Sequence, residues 1–122
     1  MEEVNIYSLI IDIIKKANNK IVIIDNYIDD SILNMLAKKK NNVESVIITS
    51  EKSNISKLDI QKFNKEYPVL KVAKTKKFHD RFILIDNKIL YHCGASIKDL
   101  GKKCFAITKI EEEQIINQIM NI

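Results

Sequence analysis

The fold of this chain is decided by the stretch Phe78-His79-Asp80-Arg81-Phe82-Ile83-Leu84-Ile85-Asp86, which reads as a strand with polar residues at its start and a turn at its end. Alternate side chains of a strand point to the same face, so His79 and Arg81 project together. An imidazole beside a guanidinium suits phosphate chemistry. The alternative for a His-x-Arg pair taken alone is a polar strand end that contains a histidine, so the residues downstream matter.

Those residues complete the pattern His-x-Arg-x-x-x-x-Asp, and Gly94-Ala95-Ser96 follows after one more short strand. This arrangement resembles the His-x-Lys-x4-Asp signature of the phospholipase D superfamily, in which a Gly-Ser-type turn follows one hairpin later. The order of elements from about residue 20 to the C-terminus is similar to one half of a phospholipase D-like domain. The resemblance implies an α/β fold, with a mixed β-sheet and helices on both faces.

The resemblance also implies roles for the motif residues. His79 is the nucleophile that attacks phosphorus, Arg81 takes the place of the lysine that holds the phosphate oxygens, and Asp86 is the motif carboxylate. Members of the superfamily bring two motifs to one site and use no metal or other cofactor; this chain has one motif, so a homodimer is implied. The chain departs from the family pattern in two places. Arginine replaces the lysine, and the turn reads Gly94-Ala95-Ser96-Ile97 in place of Gly-Ser-x-Asn. Both changes concern the activity more than the fold.

Asp86 has a second interpretation that comes from the spacing. It lies seven residues after His79, which on a straight strand is roughly 23 Å away and on the opposite face. Asp86-Asn87 is also a hairpin-type signal between two strands. Asp86 is therefore either a turn and framework residue or a residue that acts through a different subunit.

The only two glycines of the chain, Gly94 and Gly101, fall in one eight-residue loop after the motif. Glycine adopts backbone geometries that other residues avoid, which serves either a close approach to a ligand or a tight turn. In the first case Ser96 and backbone N–H groups bind phosphate, and Lys98 or Lys103 adds positive charge.

The 122 residues form a single domain, 1–122, with a net charge of +4 that is unevenly distributed. Residues 1–70 carry ten basic and ten acidic side chains, whereas residues 71–109 carry ten basic and three acidic ones. This excess predicts a nucleic-acid partner, and the alternative is a lysine-rich surface that maintains solubility. The basic residues near the motif are Lys71, Lys74, Lys76, Lys77, Arg81, Lys98, Lys102 and Lys103.

The remaining composition indicates a cytoplasmic protein that does not enter a membrane. The apolar runs are strand-sized and shorter than the roughly 20 residues that span a bilayer, and residues 1–14 contain no basic residue of the kind a signal peptide carries. Cys93 and Cys104 lack the spacing of a metal site and are expected to be buried, reduced thiols.

Apolar periodicity predicts helices over residues 4–17, 32–40, 55–67 and 111–120, and strands over 20–25, 43–49, 69–74, 88–93 and 104–108, in addition to the motif strand. Tyr27 follows the first strand, at the end where open α/β sheets commonly bind ligands, so it is a possible residue of the site. Asp30 or Ser31 is expected to cap the second helix, and Lys38 to Lys40 to occupy its last turn.

Three functions follow from this sequence. The first is a metal-independent nuclease or other phosphodiesterase that acts through a histidine nucleophile at a dimeric site. The second is a non-catalytic module that binds nucleic acid or another phosphorylated ligand, and the third is a structural or regulatory partner protein. Cleavage that depends on His79 favours the first, and salt-sensitive binding without turnover favours the second.

Overall fold

The computed structural model describes residues 6–51, 53–67, 70–75, 81–93, 107–111 and 113–120. Within them the chain forms four helices and six strands in the predicted order. The helices are α1 (Ile6–Lys16), α2 (Ser31–Leu36), α3 (Lys57–Glu66) and α4 (Glu113–Met120). The strands are β1 (Lys20–Ile24), β2 (Glu44–Thr49), β3 (Leu70–Lys74), β4 (Arg81–Ile85), β5 (Ile89–Cys93) and β6 (Ile107–Ile110).

The six strands form one mixed sheet in the order β3-β2-β1-β4-β5-β6. The three strands β1, β2 and β3 are parallel, and β4 joins β1 in the antiparallel direction. Strands β4, β5 and β6 then continue as antiparallel neighbours. The motif strand β4 therefore lies near the centre of the sheet, and its start lies beside the carboxyl end of β1.

Strand β1 is apolar from Ile21 to Ile24 because both faces of the sheet are covered there, as its continuous β-branched run predicted. Ile21 and Ile23 lie in a cluster with α1, α2 and α3, whereas Val22 and Ile24 lie in a second cluster with Ile116 of α4. Each such buried side chain contributes about 1.5–3 kcal/mol relative to an exposed one. The predicted mixed sheet with helices on both faces is confirmed.

The predicted hairpin after the motif strand is also confirmed. Asp86 and Asn87 have φ angles of 53° and 56°, which place both in the left-handed region. Two such residues in succession are typical of a type I′ turn, whose twist matches that of the flanking strands. Asp and Asn tolerate this conformation better than most residues, which explains why they occupy the turn.

The second helix differs from its prediction at both ends. It stops at Leu36 rather than at residue 40, because the N–H groups of Lys38 and Lys39 bond to carbonyls three residues earlier and tighten the chain into turns. Burial of Lys39 at this turn lowers the pKa of its amine, which lies 5.9 Å from the centre of the Tyr67 ring. The three lysines therefore do not form a last helical turn.

The expected cap of this helix is correct in position but not in its hydrogen bond. Asp30 occupies the N-cap position but its side chain makes no capping hydrogen bond. Asp29 instead accepts from the backbone N–H and the hydroxyl of Ser31, at 3.0 Å and 2.6 Å. Asp29 therefore closes a local turn with Ser31, which lies two residues later in the chain.

The C-terminal elements keep their predicted order with shifted bounds. In the described residues the last strand extends to Ile110 instead of ending at residue 108, and the last helix begins at Glu113 instead of residue 111. Lys109 on this strand forms an exposed ion pair with Glu111, at 3.1 Å, just before the helix. Among the described residues, every helix is too short or too polar to cross a membrane.

Candidate functional site

Polar side chains lie close together where the parallel strands β1 and β2 end and the motif strand β4 begins. Asp25 and Tyr27 come directly after β1, and Thr49 closes β2. Because Ile24 pairs with Phe82, Arg81 lies next to the end of β1. We call this end of the sheet the carboxyl rim, and define it by Asp25, Tyr27, Thr49, Ser50 and Arg81.

Hydrogen bonds fix the backbone of the carboxyl rim. The Tyr27 N–H donates to Oδ1 of Asp25, at 3.0 Å, and Asp25 is fully buried. The Thr49 hydroxyl donates to the Asp25 carbonyl and the Ser50 hydroxyl to the Asn26 carbonyl, each at 2.7 Å. These bonds join the turn after β1 to the end of β2, so the backbone position of Tyr27 is set by a partly buried polar network.

Arg81 and Tyr27 are in direct contact at the carboxyl rim. The guanidinium carbon of Arg81 lies 5.6 Å from the centre of the Tyr27 ring. A cation–π contact of this kind is worth about 0.5–1 kcal/mol at an exposed site. Tyr27 keeps 41% of its surface exposed, so the contact lies at the surface, where a ligand can reach it. Two residues singled out in the sequence, 54 positions apart, are therefore brought together.

Cys93 lies beside Arg81 in the register of β4 and β5, and it is 1% exposed. Burial, together with the negative charge of Asp25, raises the pKa of this thiol to about 12. A thiol with such a pKa stays protonated at neutral pH and does not act as a nucleophile. The predicted buried thiol is confirmed at Cys93, whereas Cys104 falls outside the described residues.

Asp86 lies at the opposite end of β4, five residues and roughly 17 Å from Arg81. Its carboxylate accepts hydrogen bonds from the backbone N–H groups of Asn18, Asn19 and Lys20, with lengths between 2.7 and 3.2 Å. Its own N–H donates to the Lys20 carbonyl, at 2.8 Å. Asp86 therefore ties the β4–β5 turn to the junction between α1 and β1.

The same contacts determine the charge state of Asp86. Burial by itself raises the pKa of this carboxyl, but the N–H donors of Asn18, Lys20 and Asn19 and the charge of Lys88 outweigh it and lower the pKa. A carboxyl whose pKa falls on folding stabilises the native state at pH values above its unfolded pKa of about 3.9. That stabilisation is lost as the pH falls through the folded pKa.

We expect Asp86→Ala to lower the free energy of unfolding by about 2–3 kcal/mol at neutral pH, because charged hydrogen bonds are lost and alanine disfavours the left-handed conformation. Asp86→Asn is the matched control, since asparagine keeps the backbone preference and one acceptor oxygen while it removes the charge and the second acceptor. Asp86→Asn should lose less stability than Asp86→Ala. Its difference from wild type in free energy of unfolding should become smaller as the pH falls below about 4. Urea unfolding from pH 3 to 7 measures both, and an unchanged midpoint in Asp86→Ala would contradict the framework role.

The other predicted site residues, His79, Gly94, Ser96, Lys98 and Lys103, lie outside the described residues. Lys74, which precedes His79 in the chain, pairs in register with Thr49 of the carboxyl rim. Its amine also forms an exposed ion pair with Glu51, at 3.5 Å. Lys74 and Arg81, which lie on either side of His79 in the chain, are therefore both near this end of the sheet.

His92, the second histidine of the chain, is on β5 and partly buried. It pairs in register with Phe82, and the centres of the two rings are 5.2 Å apart. His92 therefore packs against the ring of its cross-strand neighbour Phe82.

Sequence reasoning did not identify Asp25, Thr49 and Ser50 as residues of the site. The signal that points to them is a polar residue immediately after an apolar strand, repeated in two parallel strands, because the carboxyl ends of such strands meet at one end of the sheet.

A separate groove between α2 and α3 encloses about 720 Å³. Asp29, Asp30, Asp59 and Glu66 line it with a single cation, Lys62. The hydrogen bond that the Asp30 carboxyl donates to Asp59 raises the pKa of Asp30, with partial desolvation adding to the effect. A surface this acidic repels phosphate, so the groove does not compete with the carboxyl rim as a phosphate site. Among the described residues, no cluster of histidine, cysteine and acidic side chains has the arrangement of a metal site.

Comparison with solved structures gives matches in fold. No protein-family model and no curated protein sequence matches the chain. NucT from Helicobacter pylori superposes with a TM-score of 0.65 at 17% identity, over 93% of this chain and 82% of its own. Nuc from Salmonella typhimurium, a phospholipase D family member, has a TM-score of 0.65 at 18% identity, over 93% of this chain and 81% of its own.

TrmBL2, an archaeal chromatin protein described with a novel mode of DNA binding, is a more distant match. Its TM-score is 0.58 at 12% identity, over 96% of this chain and 46% of its own. The matches to NucT and Nuc confirm the phospholipase D-like fold that the motif predicted.

Proposed function

We propose, from this phospholipase D-like fold, that the chain is a phosphodiesterase of the phospholipase D superfamily, and that it cleaves nucleic acid without a metal. The observation that carries the proposal is the position of Arg81, the described member of the His-x-Arg pair. It lies where the carboxyl ends of β1 and β2 meet the start of β4, and its guanidinium reaches the exposed ring of Tyr27.

In the proposed reaction a nitrogen of His79 attacks phosphorus, and a bond from phosphorus to histidine forms as the bond to the leaving oxygen breaks. The leaving oxygen takes a proton from His79 of the partner subunit, which acts as general acid. Water then attacks the phosphohistidine and gives its proton back to the second histidine. The two steps regenerate the first imidazole and release a phosphomonoester.

Arg81 supports both steps by electrostatic stabilisation. Its guanidinium presents N–H donors in one plane and can hold two phosphate oxygens together. Negative charge on those oxygens is stabilised by the same donors in both displacements. In the proposal Ser96, Lys98 and Lys103, which follow Gly94 in the chain, also contact the phosphate.

Nucleic acid is the proposed substrate because the chain has an excess of positive charge around the motif, and because the TrmBL2 structure has this fold in a protein that binds DNA. The proposal includes a two-fold dimer, since the chain has one motif and the reaction needs a nucleophile and an acid. It also includes a cytoplasmic location, where a reduced thiol such as Cys93 persists. In the proposed reaction Asp86 is a framework residue that makes no contact with the phosphate.

The test is incubation of the purified protein with labelled single-stranded and double-stranded DNA and RNA in excess chelator. We expect cleavage of at least one of the four substrates at a rate that the chelator does not change. Cleavage that requires an added divalent metal, or the absence of any cleavage, would contradict the proposal.

The second candidate is a binding module without activity, which the arginine at position 81 favours. A guanidinium keeps the charge of the lysine it replaces but is larger and has a different geometry, so binding can persist while turnover is lost. Binding to the same substrates that weakens steeply between about 50 and 200 mM salt, with no product, supports this candidate.

A further inference from the structure

The contact between Tyr27 and Arg81 has a geometry that the motif alone does not require. Arg81 opens β4, whereas Tyr27 stands in the turn after β1, and the guanidinium lies 5.6 Å from the ring centre. A lysine at position 81 has no planar group to lay against this ring. The ring is therefore matched to arginine, the residue by which this chain departs from the His-x-Lys signature.

The turn that carries Tyr27 is held in place independently of Arg81. The Tyr27 N–H donates to the buried carboxylate of Asp25, and the Asp25 carbonyl accepts from the Thr49 hydroxyl. The Ser50 hydroxyl donates to the Asn26 carbonyl, the next one along the turn. These bonds join the turn after β1 to the end of β2, so the turn that carries Tyr27 is a fixed support against which the arginine side chain can be oriented.

We propose that Tyr27 is a positioning residue: its ring orients the guanidinium of Arg81 toward the phosphate and makes arginine, rather than lysine, the effective residue at this position. The inference rests on the proposed function, because it assigns a task to the same site. An oriented guanidinium offers its in-plane N–H donors to two phosphate oxygens and loses less conformational freedom when it binds.

The inference predicts coupling between positions 27 and 81. Tyr27→Leu removes the ring at a partly exposed position and should lower kcat/KM about tenfold, because a misplaced guanidinium stabilises the transition state less well. Tyr27→Phe keeps the ring and should retain activity within about twofold. Arg81→Lys should also lose about tenfold, and adding Tyr27→Leu to it should cost nothing more, since there is no guanidinium left to orient.

Two results overturn the inference. If Tyr27→Leu costs as much in the Arg81→Lys protein as in wild type, the ring acts on the substrate or on the fold and not through Arg81. If Tyr27→Phe loses as much as Tyr27→Leu, the hydroxyl and not the ring is the active part.

A second readout does not need activity. The Nε–Hε proton of Arg81, followed by NMR, should be shifted by the ring current in wild type and in Tyr27→Phe, and should lose that shift in Tyr27→Leu. Titration with inorganic phosphate should show about tenfold weaker binding in Tyr27→Leu. If these differences occur while no substrate is cleaved, the nuclease proposal fails and the positioning role stands; if cleavage occurs without them, the positioning role fails alone.

Discussion

Replacement of His79 by alanine is expected to lower the cleavage rate by at least about a thousandfold, because the proposed reaction loses both its nucleophile and its general acid. One substitution removes both because the two groups are the same residue on two subunits. The measurement is single-turnover cleavage of the best substrate in excess chelator. A residual rate within about tenfold of wild type would exclude His79 as the nucleophile.

His92 provides the matched control, since the chain has two histidines. It lies on β5, and its ring packs against Phe82. We expect His92→Ala to change the cleavage rate less than about threefold, at the cost of some stability from the lost ring contact. If both substitutions abolish cleavage equally, the effect of His79→Ala cannot be assigned to chemistry at that residue.

Mixing of subunits is expected to show that one active site needs two motifs. When wild type and His79→Ala are unfolded together in equal amounts and refolded, random pairing makes about one quarter of the dimers fully wild type. If attack and protonation require both histidines, activity should be about one quarter of that of refolded wild type. Independent sites on each chain would instead give about one half.

The mixing experiment has an internal control in His92→Ala. Refolding wild type with this variant should return nearly full activity, because neither protein lacks a motif histidine. The dimeric site would be contradicted if mixed refolding with His79→Ala returned one half of the wild-type activity and the protein sedimented as a monomer. That outcome would not contradict the histidine nucleophile.

The sequence predicted the fold well because its strands carry a strong and simple signal. The β-branched run of β1 is apolar on both faces, and the hairpin is marked by two residues that tolerate positive φ, Asp86 and Asn87. The order of elements then follows from counting apolar segments. Motif spacing added the family resemblance, which the solved structures support in fold.

The errors have local physical causes. Lys38 to Lys40 were assigned to the end of α2 on the basis of helix-dipole preference, but tight turns end the helix first and bury Lys39 against Tyr67. Such a tertiary contact has no signal in the sequence around residue 39. Asp30 lies at the N-cap position as predicted, but its side chain bonds to Asp59 instead of capping the helix, and this contact with α3 has no signal in the sequence around residue 30.

Contacts between distant segments were the hardest part of the site to predict. Tyr27 was recognised as a possible residue of the site from its place after a strand, and Arg81 from its motif, but their contact depends on the antiparallel pairing of β1 with β4. The role of Asp86 depends on the same pairing, because its carboxylate reaches the N–H groups just before β1. Pairing between strands separated by 60 residues is set by the whole fold.

The stereochemical course at phosphorus tests the central claim most directly. A substrate with a chiral phosphorothioate diester is cleaved in the presence of chelator, in water that carries a heavy oxygen isotope, and the configuration of the product is determined. Two successive in-line displacements through a bond to His79 predict overall retention of configuration. Inversion would show that water attacks phosphorus directly, and it would contradict the histidine mechanism.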